Sequence, residues 1–409
     1  MIANCAVIRQ MPASSSEKIS LPVPDNRAIF SSLFSKQVKM TKKALYLAGG
    51  GARGAYQAGA LKAISTILGT KKIPFDVISG VSVGSINAAV LAEHALDFAA
   101  GTEKLVALWH DIQCQQIYNA SNYELGKSVF RNLSTMIIKQ NQSGYLLNTV
   151  PLCDFISKSI NFDLVDANIR NGHLETMEVI SNCYETRQTI SFYQHHKDDF
   201  EDWNYPRHSS QRATLKMEHI LGSSALPLFF PPAEIDGLHY GDGGMGLVAP
   251  LRGAIRFQVD KIMILGTRQL PGFSRTSTPR NGDIGIARIL GGMMTGLFLD
   301  NLDRDIEMVN RMNDIASLLS MWKKRRSPWR PIQTLHLRPS LDVSSIAQAQ
   351  YNTMPKLLRL MLNVLGAKSH SGDLLSFLLF EKEFTRELIK LGFEDTMAAK
   401  ESVLTFFNS

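Results

Sequence analysis

Cysteine is scarce in this chain. Four occur in 409 residues (Cys5, Cys114, Cys153 and Cys183), and no two form a C-x-x-C pair. That scatter excludes the usual zinc-ribbon spacing and a disulfide framework, and reduced thiols are the expectation. Neither a metal nor a cofactor is expected. No uncharged apolar run reaches the ~18 residues that a membrane-spanning helix needs. The longest candidate, Val77–Ala92, is rich in Gly and Ser. The first residues, Met1–Cys5, lack a basic stretch followed by an apolar one, so no signal peptide is read there. A cytoplasmic location follows as the expectation, with peripheral membrane contact allowed and export by a signal-independent route left open. Internal repeats and a clear linker are also missing. The charge is not extreme: 44 Lys and Arg against 37 Asp and Glu leave a formal +7. This mild basic excess suits an anionic surface without requiring one.

What is present is an ordinary globular composition, 44% hydrophobic and 20% charged, over a length that can bury a large core. Residues 1–40 are polar and mixed, with Ser14-Ser15-Ser16, Pro22 and Pro24, and read as a flexible extension. Ala44–Ala48 has the pattern of a buried strand. A glycine loop follows, then a helical stretch from Ala55 to Leu68. Phe75–Ser79 is a second apolar run, leading into small residues and another helix-compatible stretch. Strand–loop–helix–strand–turn–helix within about fifty residues predicts a parallel α/β sheet. Further strands are predicted at Thr176–Cys183, Lys261–Gly266 and Thr334–Leu337. Residues 100–175, Asp283–Ser320 and Met354–Phe407 read as mainly helical, and Gln194–Ser210 as a polar surface loop. The predicted organisation is the extension at 1–40, a catalytic domain at 43–270 and a mainly helical C-terminal part at 271–409 packed on it.

Three short motifs carry chemistry. Gly80-Val81-Ser82-Val83-Gly84 joins a strand to a helix, the form of a nucleophile elbow. Gly80 and Gly84 permit a sharp turn, and Ser82 stands at a helix N-terminus, which favours negative charge. Gly49-Gly50-Gly51-Ala52-Arg53-Gly54 lies between strand and helix, where backbone N–H groups converge on an anion. It reads either as the oxyanion hole of an acyl hydrolase or as a dinucleotide fingerprint with Asp76 as the acidic partner. The hydrolase reading is favoured because a second glycine loop carrying a serine follows within thirty residues. Tyr240-Gly241-Asp242-Gly243-Gly244 is by itself a common turn dipeptide; beside the other two loops it reads as a site loop.

In this order the three motifs resemble the patatin-like phospholipase family, in a bacterial-type form. Gly222–Pro232, Asn148–Leu152 and the run from Ser376–Phe380 to Leu391–Asp395 match as well. One departure is Met245–Pro250, which lacks the Asn that often precedes the Pro in the family. The resemblance implies a three-layer α/β/α fold with a central, mostly parallel sheet. It also implies a serine acyl hydrolase acting on phospholipid esters through a Ser–Asp dyad. Ser82 is then the nucleophile, Asp242 the general base, and the amides of the Gly49–Gly54 loop the oxyanion donors. Neutral-lipid lipase and acyltransferase activities remain open on the same dyad, as does a non-catalytic phosphate- or dinucleotide-binding module.

A histidine triad is the rival chemistry, with His336 or His370 following Ser82 and Asp242 in chain order. Arg53 reads either as a shaper of its loop or as an attractor of phosphate headgroups. Ala225–Pro232 reads as an acyl-pocket wall or as a buried connection. A basic cluster flanked by tryptophans (Trp322, Lys323, Lys324, Arg325, Arg326 and Trp329) suits an anionic bilayer interface or a solvated loop. No recognised nucleic-acid module accompanies it, and nucleic-acid binding is not expected.

Overall fold

The structure, a computed structural model, describes residues 41–118, 145–269, 286–298, 300–319, 330–356 and 372–408, with Arg359 and Asn363. The predictions for residues 1–40, for His370 and for the Trp322–Trp329 cluster lie outside these residues.

Among the described residues ten strands form one sheet. They are β1 (Lys43–Leu47), β2 (Val77–Val81), β3 (Thr176–Cys183), β4 (Gln188–His195), β5 (Asn204–Tyr205), β6 (His208–Arg212), β7 (Ala233–Ile235), β8 (Leu238–Asp242), β9 (Lys261–Leu265) and β10 (Gln333–Leu337). The order is β10-β9-β1-β2-β3-β4-β6-β5, with β8 also pairing β3 and β7 pairing β8. The strands from β10 to β3 are parallel, and β4 and β8 run antiparallel to β3.

β1 and β2 are short apolar runs covered on both faces, as parallel strands require. Leu45 and Leu47 enter the larger hydrophobic cluster; Ala44 and Tyr46 enter the smaller one on the other face. This alternation follows from the two-residue period of a strand. On the larger-cluster side lie α1 (Ala55–Leu68), α2 (Val83–Glu93), α3 (Phe98–His110), a short α4 (Cys114–Ile117), α5 (Val150–Ser159), α6 (Phe162–Arg170) and α7 (Met217–Ser224). Residues of α8 (Arg252–Arg256) and α10 (Asp300–Leu318) enter the smaller cluster. The remaining helices are α9 (Ile286–Phe298), α11 (Val343–Ala349), α12 (Gly372–Leu378), α13 (Lys382–Ala398) and α14 (Lys400–Asn408).

The C-terminal helices are built against the first α/β unit. A Cβ on Gly59 of α1 would collide with the Ile389 carbonyl of α13, and one on Gly392 of α13 with the Tyr56 carbonyl of α1. The two helices therefore pack backbone to backbone, which only glycine permits at these two positions.

Gln194–Ser210 is the predicted surface loop only in part: residues 196–203 form no strand and most are exposed. Gln194 and His195 end β4, and β5 with the start of β6 occupies 204–210. The residues are polar, but several are buried: His195, Trp203 and His208 are all under 9% exposed. Trp203 stacks on Tyr193 with ring centroids 5.7 Å apart, and Ser191 Oγ bonds His208 Nε2 at 2.8 Å. Paired polar side chains are buried there at little cost, which composition alone does not reveal.

Candidate active site

The elbow has the geometry its sequence predicts. Ser82 sits between β2 and α2 at φ 54° and ψ −129°, a left-handed conformation that costs a non-glycine residue ~1–3 kcal/mol. Close approach on both sides explains the flanking glycines. A Cβ on Gly80 would come within 2.5 Å of the Gly84 carbonyl, and one on Gly84 would collide with Leu47 O. The strained turn is tied down by hydrogen bonds. Ser82 N–H donates to Ser223 Oγ (2.9 Å), and Ser223 Oγ donates to Ile180 O of β3 (2.6 Å). Ser85 N–H and Oγ both donate to Ser82 O, at 2.9 and 2.6 Å. Ser223 is a positioning residue that no motif singled out; its run, Gly222–Pro232, was the available signal.

Asp242 ends β8 beside Ser181 of β3, with 1% of its surface exposed. Its backbone N–H donates to Ala225 O (3.0 Å), and its Oδ1 accepts from Gly244 N–H (2.9 Å). Burial pushes its pKa up to about 7; nearby Ser82 and the Gly244 amide oppose that rise. The Ser82 hydroxyl is close enough to lower the pKa, yet Oδ2 closes no hydrogen bond of standard geometry. Such catalytic contacts often tighten only when substrate is bound.

The glycine loop leaves β1 as a 3₁₀ turn, Gly51–Gly54, at the same end of the sheet as Ser82. Gly50 (φ 150°) and Gly51 (φ 57°) take conformations open to glycine. A Cβ on Gly49 would lie 3.1 Å from Ser82 Cβ. Thr267 Oγ1 donates to Gly49 O (2.6 Å), and Gln57 Nε2 to Ala48 O (2.8 Å). Asn87 of α2 links Gly54 O, Gln57 and the Trp109 indole, with bonds of 2.9–3.2 Å. Arg53 is buried, with 2% of its surface exposed. Its Nε donates to Ser376 Oγ (2.9 Å), its guanidinium pairs with Asp373 at 3.7 Å, and it stacks over Phe377 at 4.5 Å. Burial lowers its pKa to about 10.

A pocket opens from Ser82 and encloses about 610 Å³ of space unfilled by atoms, its mouth included. Its walls are apolar, among them Ile86, Trp109, Ile117, Leu152, Phe230 and Phe380. Of the Ala225–Pro232 segment, Leu226 and Phe230 line it. Leu146 and Leu147, just before Asn148–Leu152, bond the carbonyls of Leu228 and Phe229 through their N–H groups at 2.9 and 2.8 Å.

His336 is not brought to this site. It lies in β10, three strands from β2, against Arg338 and Asp303, and burial lowers its pKa to about 4. At ~4.8 Å per strand that separation is far beyond hydrogen-bond reach of Ser82. Asp76 sits at the start of β2, at the end of the sheet away from the glycine loop, where its carboxylate accepts from Lys43 N–H (2.7 Å). That placement removes the acidic partner a dinucleotide fingerprint requires. Among the described residues, one grouping could hold a metal: Glu175, His195 and His196 bring donor atoms within 4.8 Å of one another. It lies at the start of β3, remote from Asp242, and the Glu175 carboxylate already pairs with the Lys42 ammonium.

Comparison with known proteins places these observations. No curated protein matches the chain in sequence. Among solved structures, VipD from Legionella pneumophila is similar at 13% identity with a TM-score of 0.35, over 91% of this chain and 73% of that one. A likeness that distant carries no argument about this chain. The family model described as patatin-like phospholipase matches residues 45–255, just over half of the chain and including all three motifs. The chain belongs to the patatin-like phospholipase family.

Proposed function

We propose that the protein hydrolyses fatty-acyl esters of phospholipids through a Ser82–Asp242 dyad. The observation that carries this is the buried Asp242, held beside Ser82 with its pKa near 7. An ordinary carboxylate, at 3.8, is too weak a base to activate a serine hydroxyl at neutral pH. Burial supplies the missing basicity, as it does for other catalytic carboxylates. Asp242 takes the Ser82 proton as Oγ attacks the ester carbonyl. It returns that proton to the departing alcohol, then repeats the sequence with water to release the fatty acid.

The Arg53 N–H is engaged with Gly50 O (3.2 Å), so the earlier amides of the loop, Gly50, Gly51 and Ala52, are those offered to the oxyanion. The positive end of α2 adds to them. The apolar pocket takes the acyl chain, and its enclosure favours a lipid tail over a polar acyl group. The basic segment Trp322–Trp329 serves as a contact for anionic membrane. Family membership supports lipid acyl hydrolysis as the class of reaction.

The test uses a fluorophosphonate probe and phospholipid vesicles. Wild type is expected to label at one serine and to release fatty acid. Ser82→Ala is expected to do neither, and Asp242→Asn to lose at least ~100-fold in turnover. Labelling that survives Ser82→Ala would remove the proposal.

A further inference from the structure

The pocket contains one hydroxyl that the dyad does not use. Ser224 lines it at the end of α7, beside Ser82, and is 7% exposed. Its Oγ is buried and hydrogen-bonds to no protein atom among the described residues. A buried hydroxyl without a partner costs ~1–3 kcal/mol, so its retention beside a nucleophile needs a reason. The other polar side chain on the wall besides Ser82, Asn87, is already engaged with Gly54 O, Gln57 and Trp109.

The position of Ser224 fixes which side of the ester it faces. The residue before it, Ser223, accepts the Ser82 N–H (2.9 Å); the residue after it, Ala225, accepts the Asp242 N–H (3.0 Å). Ser224 is therefore held between nucleophile and base by its own chain neighbours. The glycine loop approaches Ser82 from the opposite side: it follows β1, which flanks β2 on one side, whereas Ser223 is bonded to Ile180 O of β3, which flanks β2 on the other. An oxyanion bound at the loop leaves the alkoxy oxygen, which must receive its proton from Asp242, on the Ser224 side.

Resting on the dyad reading, we propose that Ser224 binds the exchanging oxygen of the reaction. It hydrogen-bonds the alcohol oxygen that leaves during acylation and the water that enters during deacylation. Acylation forms the Ser82 Oγ–acyl bond and breaks the acyl–alkoxy bond, and Asp242 passes the Ser82 proton to the alkoxide. Deacylation forms the water–acyl bond, breaks the bond to Ser82 Oγ and returns one proton to Ser82. Ser224 keeps its own proton throughout and orients the oxygen for transfer.

The experiment compares wild type, Ser224→Ala and Ser224→Thr on p-nitrophenyl laurate and on a monoacyl glycerophosphocholine. With the p-nitrophenyl ester, whose leaving group needs no proton, Ser224→Ala is expected to keep a burst of one product per site. The steady rate after the burst falls ~10- to 100-fold, the range of a lost hydrogen bond. kcat/KM reports acylation; it changes little for the activated ester and falls ~10-fold or more for the glycerol ester. The rate of fluorophosphonate labelling stays within about threefold of wild type, and Ser224→Thr, which keeps the hydroxyl, restores the slow step. Unchanged post-burst turnover in Ser224→Ala overturns the assignment. So does a parallel loss of labelling and turnover on both esters, which marks a structural role. Labelling and turnover that persist in Ser82→Ala take down the dyad itself, an outcome visible without any Ser224 variant.

Discussion

Burial of Asp242 ties its protonation to the stability of the fold. Unfolded, its carboxyl ionises near 3.8; folded, near 7. Between these values the native protein holds a proton that the unfolded chain has released. Its contribution to stability is therefore full below about 4, falls as pH rises, and is gone above about 7. Asp242→Asn removes that loss, and the variant is expected to be more stable than wild type at pH 8 by up to about 4 kcal/mol. Urea midpoints for both proteins at pH 4 and pH 8 check the sign, since the gap between them must widen with pH. Wild-type turnover is expected to rise with pH through about 7 as the base ionises. Arg53 ties the glycine loop to α12. Its partners are Ser376, Asp373 and Phe377, so Arg53→Met is expected to cost ~2–3 kcal/mol of stability and to lower turnover on every lipid alike. The ratio of kcat/KM for anionic over zwitterionic phospholipid is the measurement; a selective loss on anionic lipid would assign Arg53 to the headgroup instead.

Elements were legible in proportion to how local their signals are. α1 runs Ala55–Leu68 and β3 runs Thr176–Cys183, as their patterns predict, because an apolar run between turn residues is a local signal. Within 194–210 the loop at 196–203 was legible, but the strand residues were not, because they carry polar side chains whose partners lie elsewhere in the chain, such as His208 with Ser191. The crossing of α1 and α13 was invisible for a similar reason. Gly59 and Gly392 lie more than three hundred residues apart, and a glycine inside a helix reads locally only as a weak point. Gly59→Ala is expected to destabilise the protein by ~1–3 kcal/mol, although alanine is the better helix former, because its Cβ meets the Ile389 carbonyl. Chemical denaturation of the variant decides between propensity and packing.

At the scale of the molecule, the family match ends at residue 255, but the site does not. Phe377 and Phe380 of the C-terminal part line the pocket, the Phe377 carbonyl lies against Gly51, and the Phe380 ring stacks on Trp109. The glycine loop is thus clamped between α2, through Asn87, and α12, through Arg53. A chain ending at residue 371 is expected to lose both fluorophosphonate labelling and cooperative unfolding, whereas one beginning at residue 41 keeps both. Labelling by the chain ending at residue 371 would show that the site forms without α12, α13 and α14.

The sequence by itself singled out Ser82, Asp242 and the glycine loop, because each lies in a short motif of adjacent residues. It also determined the class of fold, because buried parallel strands and the helices between them leave periodic patterns. Only the tertiary structure decided that His336 stands three strands from Ser82 and that Asp76 lies at the far end of its strand. It alone placed Ser223 and Ser224 between Ser82 and Asp242, and turned Arg53 toward α12. These are contacts between residues from tens to hundreds of positions apart, set by how the sheet is ordered and how helices pack on it. No local pattern encodes such distances.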